Sequence, residues 1–133
     1  MWLNMARDDY QKALKKGERS YARYLSEGKY PYLQVLEELL SHTDVVAEED
    51  LGICSIPSEM IVGTFTAGRR TAFAPNFMPL LDDESEFAAK WQALYNAHLE
   101  EGIHDPIKCY EFMNRYYVLE GNKRVSVLKF CGA

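Results

Sequence analysis

Apolar residues recur at three- and four-residue steps from Met5 to Leu25, where Ala6, Tyr10, Ala13 and Leu14 are followed by Tyr21, Tyr24 and Leu25. That period predicts an amphipathic helix, with Gly17 as the position where it loosens or breaks. Ser26-Glu-Gly-Lys29 is a stop, and Pro31 suits the first turn of a second helix. Its apolar stripe would be Tyr32, Leu33, Leu36, Leu39 and Leu40. Two such helices make a hairpin of roughly 40 residues, too small to bury its own face, so it has to pack on something else.

The pattern then changes. Thr43 to Asp50 is a polar, acidic connection. Leu51 to Ile56 reads as a short strand stopped by Pro57, and Ser58 to Val62 as a single helical turn capped by Ser58. Thr64 to Pro79 keeps no period and predicts an irregular loop carrying the adjacent pair Arg69 and Arg70. Helical spacing returns after Asp82-Asp-Glu-Ser85 with Phe87, Trp91, Leu94, Tyr95 and Leu99, and Gly102 ends it. Pro106 to Phe112 and Tyr116 to Glu120 predict the two arms of a β-hairpin, turned at Met113-Asn-Arg115. A closing helix runs from the Gly121 corner to about Phe130, capped by Gly132. This order predicts an α+β fold: a helical hairpin over residues 1–47 and a mixed-sheet domain over residues 48–133.

Composition narrows the class. At 133 residues, with 47% hydrophobic and 26% charged side chains, the chain can bury one core in the manner of a soluble globular protein. No apolar run approaches the roughly 20 residues that cross a bilayer, and Arg7, Asp8 and Asp9 interrupt any secretion signal. Three scattered cysteines make no disulfide framework. Cys54 and Cys109, inside apolar runs, are expected as buried thiols. A reducing cytoplasm is the expected setting.

The net charge of −5 argues against a surface built for nucleic acid. The charge is uneven, however: from Arg115 onward Arg115, Lys123, Arg124 and Lys129 face the single acid Glu120. A strand, a glycine and a new helix aim free backbone N–H groups and a positive dipole at one point. With Gly121, Asn122, Lys123 and Arg124 at that point, the corner is a candidate cradle for a small phosphorylated ligand. Ser126 either adds a hydroxyl to it or is a helix-surface serine. One arginine of the Arg69–Arg70 pair is expected to close over the ligand. Glu120 is the candidate catalytic residue, placed to orient a substrate hydroxyl or hold Mg²⁺ beside phosphates, although a glutamate at a strand end is more often merely exposed. His98 and His104 lack the spacing of metal ligands and read as surface histidines. Tyr30, Tyr32, Tyr116 and Tyr117 read as packing rather than as stacking platforms.

Three stretches together resemble the ParB/sulfiredoxin-like superfamily. Ser55-Ile-Pro-Ser-Glu-Met-Ile61 is similar to its opening strand and turn, and Glu101-Gly-Ile-His-Asp-Pro-Ile107 to its helix-to-strand junction. Leu119-Glu-Gly-Asn-Lys-Arg-Val-Ser-Val-Leu-Lys129 is similar to its phosphate-binding corner. The resemblance covers about residues 51–133 and implies a small α+β fold holding the phosphates of a nucleotide, CTP or ATP with Mg²⁺. It implies a regulatory nucleotide-binding module first, a phosphotransferase acting on a small hydroxyl compound such as free serine second, and a DNA-binding partitioning or transcription regulator third. Asn122 stands where sulfiredoxins carry their reactive cysteine, so that chemistry is not expected. The paired histidines of the serine kinases are replaced by Asn122 and Lys123. The chain ends where the superfamily often adds another strand, and an oligomer or a partner domain that contacts DNA is compatible with it.

Overall fold

The computed structural model describes residues 2–41 and 48–133. Most of the acidic connection predicted from Thr43 lies outside them. Helix α1 (Trp2–Ser26) is continuous through Gly17. The glycine serves packing instead: a Cβ there would collide with the carbonyl oxygen of Pro79 and lie 3.1 Å from its carbon. The loop ending at Pro79 therefore rests directly on the helix backbone.

The expected second helix is mostly something else. Leu33, Gln34 and Val35 alternate in, out, in, with Leu33 and Val35 buried. That is strand periodicity, and Gln34–Val35 forms β1, leaving only Leu36–Leu40 as helix α2. The apolar run satisfied both periods in sequence, and a backbone partner decided between them. That partner is β2 (Ile61–Thr64), parallel to β1 with Gln34 opposite Gly63 and Val35 opposite Thr64.

The expected strand at 51–56 is irregular. Leu51 and Ile53 are exposed, and so is Cys54, contrary to its expected burial. Ser58–Met60 is a 3₁₀ turn without a side-chain cap, and the strand begins only after it. Helix α3 (Glu86–Glu100) starts one turn later than its acidic prelude, at Ser85, whose hydroxyl accepts the Ala88 N–H at 3.0 Å. Strands β3 (Lys108–Phe112) and β4 (Arg115–Glu120) form the antiparallel hairpin, turned at Met113 and Asn114, both at positive φ. Helix α4 (Asn122–Phe130) closes the chain.

The sheet order is β1-β2-β4-β3, with β2 parallel to both β1 and β4. The fold is thus α+β: among the described residues, a four-stranded mixed sheet and four α-helices. Ala6, Tyr10 and Ala13 of α1 share one buried cluster with Trp91 of α3, Val118 of β4 and Val125 of α4. Tyr10 meets Trp91 edge-on at 5.3 Å, and its hydroxyl donates to Leu81 O at 2.5 Å. Burial, with the nearby Asp82 charge, raises the Tyr10 pKa well above the ordinary phenol range. No helix among the described residues is long and apolar enough to cross a membrane.

Candidate anion-binding cleft

Strand β4 ends at Glu120, and Gly121 turns the chain at φ +110°, a conformation that side chains resist. The first intrahelical bond of α4 runs from Val125 N–H to Gly121 O at 2.9 Å. The amides of Asn122, Lys123 and Arg124 precede it and receive no side-chain cap. They edge a cleft of about 340 Å³ lined by Gly121 to Arg124, by Arg69 from the loop after β2, and by Phe73, Phe87 and Leu94.

The corner is fixed from below. Asn122 Nδ2 donates to Thr64 Oγ1 at 3.1 Å, and the buried Thr64 hydroxyl donates to Val118 O at 3.3 Å. The Asn122 side chain therefore anchors the corner to β2, leaving the backbone of the residue to face the cleft. Its Oδ1 is buried without a partner.

The walls are cationic and apolar. Lys123 Nζ lies 5.3 Å from the centre of the Phe87 ring. Burial, then the charges of Arg69 and Lys90, lower its pKa, while Glu86 acts in the opposite sense. The Arg124 guanidinium folds over Gly121: a Cβ on the glycine would sit 2.9 Å from Arg124 Nη2. Among the described residues Arg69, Lys123 and Arg124 have no carboxylate ion pair, and no acid lines the cleft. Three cations without an ion-pair partner and three uncapped amides converge on one space, the electrostatic complement of a compact anion.

Other expected members lie elsewhere. Arg70 forms an ion pair with Glu38 of α2 and stands 5.8 Å from the Tyr30 ring. Of the pair, only Arg69 reaches the cleft. Ser126 is fully buried and accepts the Trp91 indole N–H at 2.9 Å, so its hydroxyl is part of the core. The first-turn position placed it correctly on α4, but helix phase turns it inward. Glu120 is outside the lining, with a carboxylate oxygen 3.8 Å from Lys108 Nζ across the hairpin, where both side chains are exposed. No cluster of three or more His, Cys, Asp or Glu side chains suited to a metal ion occurs among the described residues. His104 is exposed with Nε2 2.7 Å from Glu101 O, while His98 Nδ1 is buried without a partner.

Sequence reasoning missed Phe73, Phe87 and Leu94 as walls and Thr64 as the anchor. Phe87 and Leu94 carried only a helix-packing signal, and Phe73 sat in a stretch with no period. No family model matches the chain, and neither curated proteins nor solved structures provide a match. What stands without a relative is the class: an α+β domain whose strand–glycine–helix corner opens into a cation-lined cleft.

Proposed function

We propose that the chain is a regulatory module that binds a phosphorylated small molecule, a nucleotide such as CTP or ATP, at the Gly121 corner. The observation that carries this reading is the arrival of Arg69, from a loop some fifty residues upstream, beside Lys123, Arg124 and the open amides of α4. Phosphate oxygens would take the amides of Asn122 to Arg124, with Lys123 and Arg124 neutralising charge and Arg69 approaching from the rim. Phe73, Phe87 and Leu94 give the non-phosphate part of the ligand an apolar wall. Mg²⁺ would enter on the phosphates of the ligand.

The ParB/sulfiredoxin-like assignment belongs to this proposal. It is supported by the strand, glycine turn and helix in that order and by the parallel β2–β4 pair beneath them. The reading also places the chain in the cytoplasm, where exposed thiols such as Cys54 and Cys131 persist reduced.

Isothermal titration with CTP, ATP and GTP, each with and without Mg²⁺, tests the site. Saturable heat with at least one nucleotide, abolished in a Lys123→Gln/Arg124→Gln double variant, is the expected result. Heat from none of the three removes the nucleotide reading, and heat that survives the double variant moves the site. Salt-sensitive binding to duplex DNA instead would point to the third reading of the sequence.

A further inference from the structure

A second cleft, of about 500 Å³, shares no lining residue with the first. It opens between the end of α1, the segment 29–32, the sheet and the last turn of α4. Tyr24, Tyr30, Tyr32 and Tyr117 supply aromatic surface, and Lys29, Lys129 and Arg115 supply positive charge. Its shape comes from a row across the sheet, where Gln34 of β1, Gly63 of β2 and Tyr117 of β4 stand side by side. A Cβ on Gly63 would lie 2.9 Å from Tyr117 Cδ2, so the ring leans over the position where a side chain is missing. Tyr117 is only 4% exposed as a residue, and its hydroxyl, with no protein partner among the described residues, keeps access to solvent.

The charges decide what would fit. Lys29 has a partner in Glu27 at 3.1 Å. Lys129 donates to Ser58 O at 2.6 Å, and Glu59, the acid in the cleft lining, faces it. The Arg115 guanidinium donates to the Asn114 carbonyl at 3.0 Å and has no carboxylate partner among the described residues. The cleft therefore holds one uncompensated cation, a guanidinium, beside several aromatic faces and an unpaired phenol. Aromatic surroundings alone would also suit a quaternary ammonium, but the uncompensated Arg115 guanidinium in the lining repels one. A guanidinium fork matches a planar carboxylate in two parallel hydrogen bonds.

We infer that this second cleft binds an aromatic carboxylate, its ring against the tyrosines, its carboxylate on Arg115 and the Tyr117 hydroxyl donating to it. The inference is independent of the phosphate site, because the two clefts have separate walls.

Saturation-transfer NMR on the full chain tests it with benzoate and phenylacetate, against acetate and benzamide as probes lacking the ring or the charge. Both aryl carboxylates should bind about tenfold more tightly than benzamide, the scale of one charge-assisted contact, and more tightly than acetate, which lacks the ring. Arg115→Gln should remove that preference, and Tyr117→Phe should weaken benzoate with the fold intact by circular dichroism. An excess of CTP should not displace benzoate. Equal response from all four probes, response from none, or full binding in Arg115→Gln overturns the inference. Displacement by CTP would place the probes in the first cleft and overturn it equally.

Discussion

At the scale of single residues, neighbours in sequence have different work. Arg69 and Arg70 are adjacent, yet one edges the cleft and the other is tied to Glu38. On the proposed function, truncating Arg124 should weaken binding of a phosphorylated ligand by about 1.5–3 kcal/mol through loss of a charge-assisted contact. Arg69, more exposed to water, should contribute about 1 kcal/mol. Arg70→Ala should leave affinity unchanged, and titration calorimetry of the three variants checks the ranking. An equal loss in all three would mean a diffuse charge effect rather than contacts.

Lys123 adds a pH dependence whose sign follows from its lowered pKa. In the free protein its positive charge is lost as pH rises through a value below the ordinary 10.5, so anion affinity should fall in that alkaline window. A bound phosphate favours the charged form, so binding there should take up protons. Calorimetry in buffers of different ionisation enthalpy reads that uptake, and Lys123→Gln should abolish it. Folding stability has the opposite slope: the unfolded chain holds this proton more tightly, so stability rises with pH between the folded value and 10.5.

At the scale of elements, contacts overruled local preference in two places. Gly17 sits inside a 25-residue helix, where replacing it by Ala should gain about 1 kcal/mol of helix propensity. The added methyl would strike the Pro79 carbonyl, and relieving that clash by lifting the loop should cost about 1–3 kcal/mol. The clash is with backbone, which cannot swing aside as a side chain would, so net destabilisation is expected. A lower urea midpoint with an unchanged slope would show it, and a higher midpoint would mean that the loop does not rest on α1. The second place is Leu33 to Leu40, where β1 replaced the start of a helix because β2 offered hydrogen-bond partners.

At the scale of the whole molecule, α1 and the sheet-bearing part share a core. Tyr10 and Ala13 lie in the same cluster as Trp91 and Val118, and the Tyr95 hydroxyl donates to the Asp9 carboxylate. Strand β1 joins the sheet of the remaining chain. Unfolding should therefore be one cooperative transition. In a Trp2→Phe variant, Trp91 fluorescence and helical circular dichroism should change at the same urea concentration. An earlier loss of helix would mean that α1 detaches as a separate unit.

Periodicity and turn chemistry alone determined α1, α3, the β3–β4 hairpin and the Gly121 corner. Each is dictated by neighbours within a few positions of the chain, through side-chain spacing, Ser85, Gly102 and Gly121. Even the cations of the first cleft were nameable in advance, because a strand–glycine–helix corner carries its own amides and its own Lys123 and Arg124. What only the tertiary structure decided were matters of which distant backbone stands opposite. These include whether 33–35 or 51–56 becomes a strand, which arginine of the 69–70 pair turns to the cleft, and that Ser126 answers Trp91 rather than a ligand. Glu120 meeting Lys108 across the hairpin is of the same kind. A strand needs a partner and a side chain needs a neighbour, and neither is encoded within the few residues over which a local pattern can be read.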